Sequence, residues 1–524
     1  MLGMTRLDRC LVLAFALANA VLYSSLLPLW EGFDEPWHYA YVQYLSVARR
    51  LPVLGTTRVS QEVWDSMLTC PASHVVARVW PELQTFDRYF ALSPAARAQE
   101  RYNLESLPRL QSQESAHTNY EVQQPPLAYL VLAGPDLLLS NASIPVRILW
   151  LRIFGAVVSV LIAFFAAESL FRTLELPAQD RFLCLFCIFA CQMFWAVLAH
   201  IGNDSLALAL SVWFFAACAA FAKRPGLAGA LTLALATALG LLAKAYFLPL
   251  AIFAACLVAY QRVRMLPAFA AAIALLAGPW YLRNLLLYHN LSGLLMTSAG
   301  TTSSQAVSSL TRVDWSRTIP YMLRATLWTG NNSFTSFSVV TLNCLLALLA
   351  SGLAMYALQA VRRAPLPVPA EWAILGAVGV YTAAVVYVVG NDVTLLHGAS
   401  AGAAPWYTEV LLAPSLAIVF LGLGRTRRLG PPVMAAIAIL WAYICIVTYL
   451  FKLIPLYGGH AQGRNTLRET IGWYLSSHRQ LTSTLSTISL APPLTIYLET
   501  GAVAGLAIVI ATRQVCRLVK KQHE

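Results

Sequence analysis

From Cys10 to Trp30 the chain carries no charged residue. At 1.5 Å per helical residue that run is roughly 31 Å long, enough to cross a bilayer. Comparable apolar runs recur along the sequence, divided by short basic loops and a few longer polar stretches. The 524 residues are 58% hydrophobic and 11% charged, with a mean hydropathy of +0.63, whereas soluble domains carry about 25% charged residues. The fold class expected is therefore an all-α polytopic membrane protein. The first run has no small-residue cleavage site after it and reads as an uncleaved first helix.

About twelve spans are expected, near residues 10–30, 148–170, 182–200, 205–222, 226–243, 246–260, 266–281, 335–358, 370–390, 407–424, 431–451 and 491–512. With the N-terminus inside, the inward segments hold Arg6 and Arg9, Arg172 and Arg181, Lys223 and Arg224, Arg262 and Arg264, and Arg362 and Arg363. They continue with Arg425, Arg427 and Arg428, then Arg513, Arg517, Lys520 and Lys521. Every short inward segment is basic, as the positive-inside rule requires, so both termini are expected in the cytoplasm. The net charge of +12, from 36 Lys and Arg against 24 Asp and Glu, reads as loop retention and not as nucleic-acid binding. Most of the cysteines lie inside apolar runs, Cys70 alone falling in a large hydrophilic loop, so no disulfide framework is implied.

The segment Leu127–Leu139 is apolar but short and interrupted by Pro135 and Asp136, which suits an interfacial or re-entrant helix on the outer face. The first outer loop then runs over 31–147. Further outer loops fall near 285–334, 391–406 and 452–490.

Candidate chemistry gathers at outer helix ends. In "WEGFDEPWHYAYVQYL" Asp34 and Glu35 follow the first span, and His38 stands one helical turn from Asp34. In "AHIGNDSLA" Asp204 again has a histidine, His200, four residues away. Each Asp could simply cap the next helix. Both sites nonetheless fall on the same side of the membrane, and ionisable groups at that depth are functional candidates. Lys244 in "LLAKAYFLP" and Arg283 in "GPWYLRNLLLY" break the basic-inside pattern. They either snorkel to the interface or hold a phosphate. In "NYEVQQPPLAYL" the Pro pair starts a short helix. No P-loop, dinucleotide fingerprint or zinc motif is present. Carboxylates that can take a proton, beside cations that can hold a phosphate, fit group transfer from a lipid phosphate.

These motifs resemble those of the C-type (GT-C) integral-membrane glycosyltransferases, which include protein O-mannosyltransferases and lipid A aminoarabinose transferases. The resemblance rests on Asp34 and Glu35, Gln124 to Leu127, Asn203 and Asp204, and Trp280 to Asn284. It covers a membrane core over 1–290, leaving 291–524 as a C-terminal membrane region. One departure is Gln124, where many members have His. The resemblance implies a bacterial inner-membrane enzyme that moves a sugar from a polyprenyl-phosphate donor to an extracytoplasmic acceptor with inversion. Asp34 would be the general base, with Glu35 and Asp204 orienting the acceptor or supporting charge on the sugar. Lys244 or Arg283 would stabilise the phosphate, with His38, Gln124 and Asn203 as further substrate contacts. The acceptor could be a lipid, a polysaccharide or a protein. No cofactor is expected, although the two Asp/His pairs could together bind a divalent metal. The alternative class is a proton-coupled transporter or lipid flippase.

Overall fold

The computed structural model describes residues 4–294, 302–328, 330–333, 337–362, 368–395, 402–426, 428–460 and 466–523; the expected loop residues Arg363 and Arg427 lie outside these ranges. The protein is an all-α polytopic membrane protein whose small β content is one antiparallel pair, β1 (Arg58–Ser60) and β2 (Glu114–Thr118).

The N-terminal half is built from α1 (Arg6–Leu26), α2 (Glu35–Ala48), α3 (Gln61–Thr69), α4 (His74–Val79), α5 (Phe86–Ala91), α6 (Pro94–Glu105) and α7 (Leu127–Leu138). It continues with α8 (Ile144–Thr173), α9 (Ala178–Ala190), α10 (Gln192–Leu198), α11 (Asn203–Lys223), α12 (Leu227–Ala243), α13 (Phe247–Arg262), α14 (Leu266–Leu276) and α15 (Gly278–Tyr288). Beyond it come α16 (Ser303–Ser309), α17 (Trp315–Leu327), α18 (Val339–Arg362), α19 (Pro369–Leu395), α20 (Pro405–Gly424), α21 (Gly430–Tyr457), α22 (Leu467–Ile488) and α23 (Pro493–His523).

One end of the bundle is basic. Thr5 and Asp8 form a reciprocal capping box at the start of α1, and the Asp8 carboxylate also accepts from Arg513 and Arg517 of α23 at 2.9 Å. At the same end Arg9 pairs with Glu168 of α8, Lys223 of α11 with Glu175, and Arg425 after α20 with Glu371 of α19. The segments around Arg9, Glu175, Lys223 and Arg513 therefore share one end of the bundle.

By length and composition, nine helices among the described residues could cross a membrane, ten if α9 and α10 count as one bent span. The expected count of about twelve differs in three places. The run expected to be straight over 182–200 bends by 58° at Cys191, whose ψ of 117° is extended. The carbonyl of Phe189 freed by that break accepts from the Trp195 indole at 2.8 Å, which is how a broken span keeps its backbone satisfied. Helix α12 has only 17 residues. The apolar stretch Phe247–Leu276 is continuous in composition but leaves helical conformation at Arg262 (φ −156°, ψ 74°). The Tyr281 hydroxyl then donates to the carbonyl of Leu241 at 3.0 Å, so α13–α15 double back as a hairpin beside α12.

The opposite end carries a layer made from α2–α7 and the β pair. Helix α7 lies against α2 in this layer, as expected for the short apolar segment, and is tied there by Asp136, which accepts from Tyr39 at 3.0 Å and Ser46 at 2.6 Å. Burial pushes the Asp136 carboxyl up. Arg147 of α8 donates to the Tyr39 hydroxyl at 2.6 Å and pairs with Glu62 of α3, which also accepts from Gln43 at 2.7 Å. This buried network riveting the layer to α8 is satisfied at nearly every polar atom, the condition under which burying charge is tolerable. Arg147→Ala would strand Glu62 and should cost about 3–5 kcal/mol. A matched Glu62→Leu/Arg147→Met variant should lose less than either single change, read as the thermal transition of the purified protein.

Candidate active site

The turn after α1 is fixed by a buried ion pair. Glu35, the first residue of α2, binds Arg152 of α8 through two contacts and accepts from the backbone N–H of Ile201 at 2.9 Å. Arg152 spends its remaining donors on the carbonyls of Ser24, Leu27 and Pro28. Both side chains are fully buried. The expectation that Glu35 is a catalytic group is thereby corrected: its carboxylate is enclosed by an Arg and a backbone N–H and joins three segments.

Its neighbour Asp34 points the other way. Asp34 occupies the N-cap position of α2 with left-handed backbone (φ 52°, ψ 19°) and makes no side-chain cap bond. A non-glycine residue at positive φ is uncommon, and such outliers gather at functional sites. The exposed carboxylate accepts from the Tyr120 hydroxyl at 2.6 Å. Asp204 is not a cap either, since Gly202 takes that position and Asp204 sits within the first turn of α11.

Asp34 and Asp204 line one cavity of about 610 Å³, together with His38, His200, Gln124 and Lys244. Close packing brings their two loops together: a Cβ on Gly32 would stand 2.4 Å from the Cβ of His200. Lys244, at the C-terminal end of α12, donates to Asp204 at 2.5 Å and to the Asn203 side-chain oxygen at 3.3 Å. A third ammonium donor remains for a ligand. Asn203 in turn donates to Gln124 at 3.2 Å and to the Ala243 carbonyl at 3.1 Å, so it braces the wall from behind. Arg283 does not join this group. Its guanidinium donates to the Pro52 carbonyl at 2.6 Å and lies 5.2 Å from the Trp280 ring, which corrects the expectation of a phosphate contact.

Two groups in the cavity escaped sequence reasoning. Glu121 lies in a 3-10 turn, Tyr120–Gln123, held by Asn119, whose side chain accepts from the Glu121 N–H at 3.0 Å and donates to the Trp37 carbonyl at 2.9 Å. Burial first, and then the Asp34 carboxylate, push Glu121 up to about 8. This favours the protonated form of Glu121. Its Oε2 lies 3.6 Å from Nδ1 of His38, which also contacts the Tyr129 hydroxyl at 2.8 Å. Burial, and then Lys244, pull His38 down. The second missed element is an aromatic wall of Tyr246, Tyr381, Trp406 and Tyr407 facing the acids. Among the described residues no group of three or more His, Cys, Asp or Glu side chains is placed to hold a metal ion, and all ten cysteines are free.

Apolar side chains also line the cavity, among them Leu248 and Pro249 of α13 and Ala384, Val385 and Val388 of α19. The same two helices turn apolar side chains outward, with Ile252 66% and Tyr387 40% exposed.

No family model matches the chain, and no curated protein sequence does. Two solved structures are similar. One is ArnT from Cupriavidus metallidurans bound to undecaprenyl phosphate, at 14% identity and a TM-score of 0.45, over 95% of this chain and 76% of that one. The other is the apo state of the same protein, at 14% identity and a TM-score of 0.38, over 81% and 72%. The reading of the site rests on its own residues.

Glu31, in the turn before Asp34, is likewise pushed up to about 8, by burial against one hydroxyl partner, Ser333. Each of these carboxyls binds its proton more tightly folded, at about 8, than at its ordinary 4.5. The stability these two carboxyls contribute is therefore full below about pH 4.5 and is lost as the pH rises through 8. Glu121→Gln should flatten that alkaline decline, measured as melting temperature against pH. An unchanged profile would mean Glu121 is ionised at neutrality.

Proposed function

We propose that this chain is an integral-membrane glycosyltransferase that moves a sugar from a polyprenyl-phosphate-linked donor to an acceptor on the extracytoplasmic face, inverting the anomeric centre. The observation that carries this reading is the cavity lined together by Asp34, the Asp204–Lys244 pair and apolar side chains of α13 and α19. The basic end of the bundle would face the cytoplasm, and the cavity would then lie on the outer side.

The apolar lining suits isoprene units, and the charged lining suits the phosphosugar. Lys244 would stabilise the departing phosphate, so the leaving group needs no proton. Asp204 holds the ammonium in place until a phosphate oxygen takes the open donor. Neutral Glu121 spares the site one negative charge where a phosphate must settle. Asp34 is the exposed carboxylate and would take the acceptor's hydroxyl proton as the hydroxyl attacks from the face opposite the phosphate. Glu35 serves as a positioning residue through Arg152.

Asp34→Asn should lower transfer from undecaprenyl-phosphate sugars by about 10²–10⁴-fold while undecaprenyl phosphate still binds. Transfer that survives the change in a folded protein would remove Asp34 as the base. Lys244→Met combined with Asp204→Asn, which strands no buried carboxylate, should weaken undecaprenyl phosphate binding about tenfold or more. Titration into protein in nanodiscs measures it.

A further inference from the structure

Asp34 and Tyr120 stand in the wall between two hollows, because both also line a second cavity of about 360 Å³ in the outer layer. Three indoles, Trp30 before α2, Trp37 within it and Trp80 after α4, line this second hollow beside aliphatic side chains that include Met67, Val75 and Val76. They are fixed before any ligand arrives. Trp80 stacks on Trp37 at 5.4 Å between ring centroids and is met edge-on by Trp64 at 5.5 Å and His117 at 5.4 Å. The Trp30 indole donates to Ser66 at 3.0 Å. Asn332 closes one side, held by its own donation to the Gly32 carbonyl at 3.0 Å. Rigid aromatic faces give contact area at little ordering cost. Among the described residues no Lys or Arg lines the hollow, so it has no counter-charge for a phosphate or carboxylate on its ligand.

From this geometry we infer that the second hollow is the acceptor site and that it takes a neutral pyranose ring, stacked on the indole wall with one hydroxyl at Asp34. A pyranose offers a C–H face to an apolar, indole-bearing wall and a rim of hydroxyls to a carboxylate, and both kinds of group line this hollow. The assignment rests on the glycosyl transfer proposed above and names its acceptor. The acceptor oxygen forms the new bond to the anomeric carbon and its proton passes to Asp34. The bond from that carbon to the phosphate oxygen breaks, and its electron pair leaves with the polyprenyl phosphate at Lys244.

The test uses full-length protein in nanodiscs and saturation-transfer NMR, with methyl glucopyranoside, mannopyranoside and galactopyranoside as probes. Saturation is expected at the ring protons of at least one probe, and it should persist when undecaprenyl phosphate fills the first cavity. Trp80→Ala should weaken that probe about tenfold or more through loss of one aromatic face, with Trp80→Phe restoring most of it. Val79→Arg offers a second handle, since Val79 lines the hollow, is 68% exposed and can be enlarged without touching the core; it should block the probe likewise. Absence of saturation for every pyranoside, or saturation indifferent to both positions, would overturn the acceptor assignment. Failure of undecaprenyl phosphate itself to bind the wild-type protein would instead overturn the donor reading, so the two failures are distinct.

Discussion

The ion pair between Glu35 and Arg152 is the constraint on which the outer half of the molecule depends. Two charges removed from water are costly, and the cost is met only when every donor and acceptor has a partner. Arg152 meets that condition with all five of its N–H groups, shared between the Glu35 carboxylate and the carbonyls of Ser24, Leu27 and Pro28. Glu35 completes it by accepting from Ile201. The end of α1, the start of α2, the first half of α8 and the turn before α11 are therefore locked by one contact. The approach of Asp34 to the Asp204 loop is a consequence of this lock.

Adjacent acids in the sequence thus have opposite fates. Asp34 takes left-handed backbone, which turns its carboxylate out toward the cavity, while Glu35 begins the helix and points into the protein. The cavity then holds three carboxyl groups and one ammonium, a set that would repel an anion if all were ionised. Burial of Glu121 pushes its carboxyl toward the protonated form. Electrostatics at this site is governed as much by where water is excluded as by which residues carry charge.

Much of this was readable from the chain. Apolar runs pointed to the helical class, and the placement of Arg and Lys to a shared basic end of the bundle. Acids at outer helix ends pointed to Asp34, Asp204, His38 and Lys244, which share the cavity with Gln124. What escaped lacked a local signal. Glu121 lies in a four-residue 3-10 turn with no periodicity to mark it. The bend at Cys191 has neither Pro nor Gly, because a tryptophan indole from the next turn satisfies the broken backbone. Arg283 reads like a stray outer cation, and only the fold shows that the Pro52 carbonyl claims it. The division of labour between Asp34 and Glu35 depends on Arg152, more than a hundred residues away in sequence.

The outer layer is also closed from far along the chain. Arg101 at the end of α6 donates to the carbonyl of Ser489, and the N–H of Leu490 returns to the carbonyl of Ser25 at the end of α1. During synthesis, then, the first helix and the first loop wait for α22 to be made before this seam can form. Every intervening helix must be inserted before the acids at the opening stretch acquire their final surroundings. Such long-range closure favours assembly in which the layer of α2–α7 sets last, after the helical scaffold is already in place.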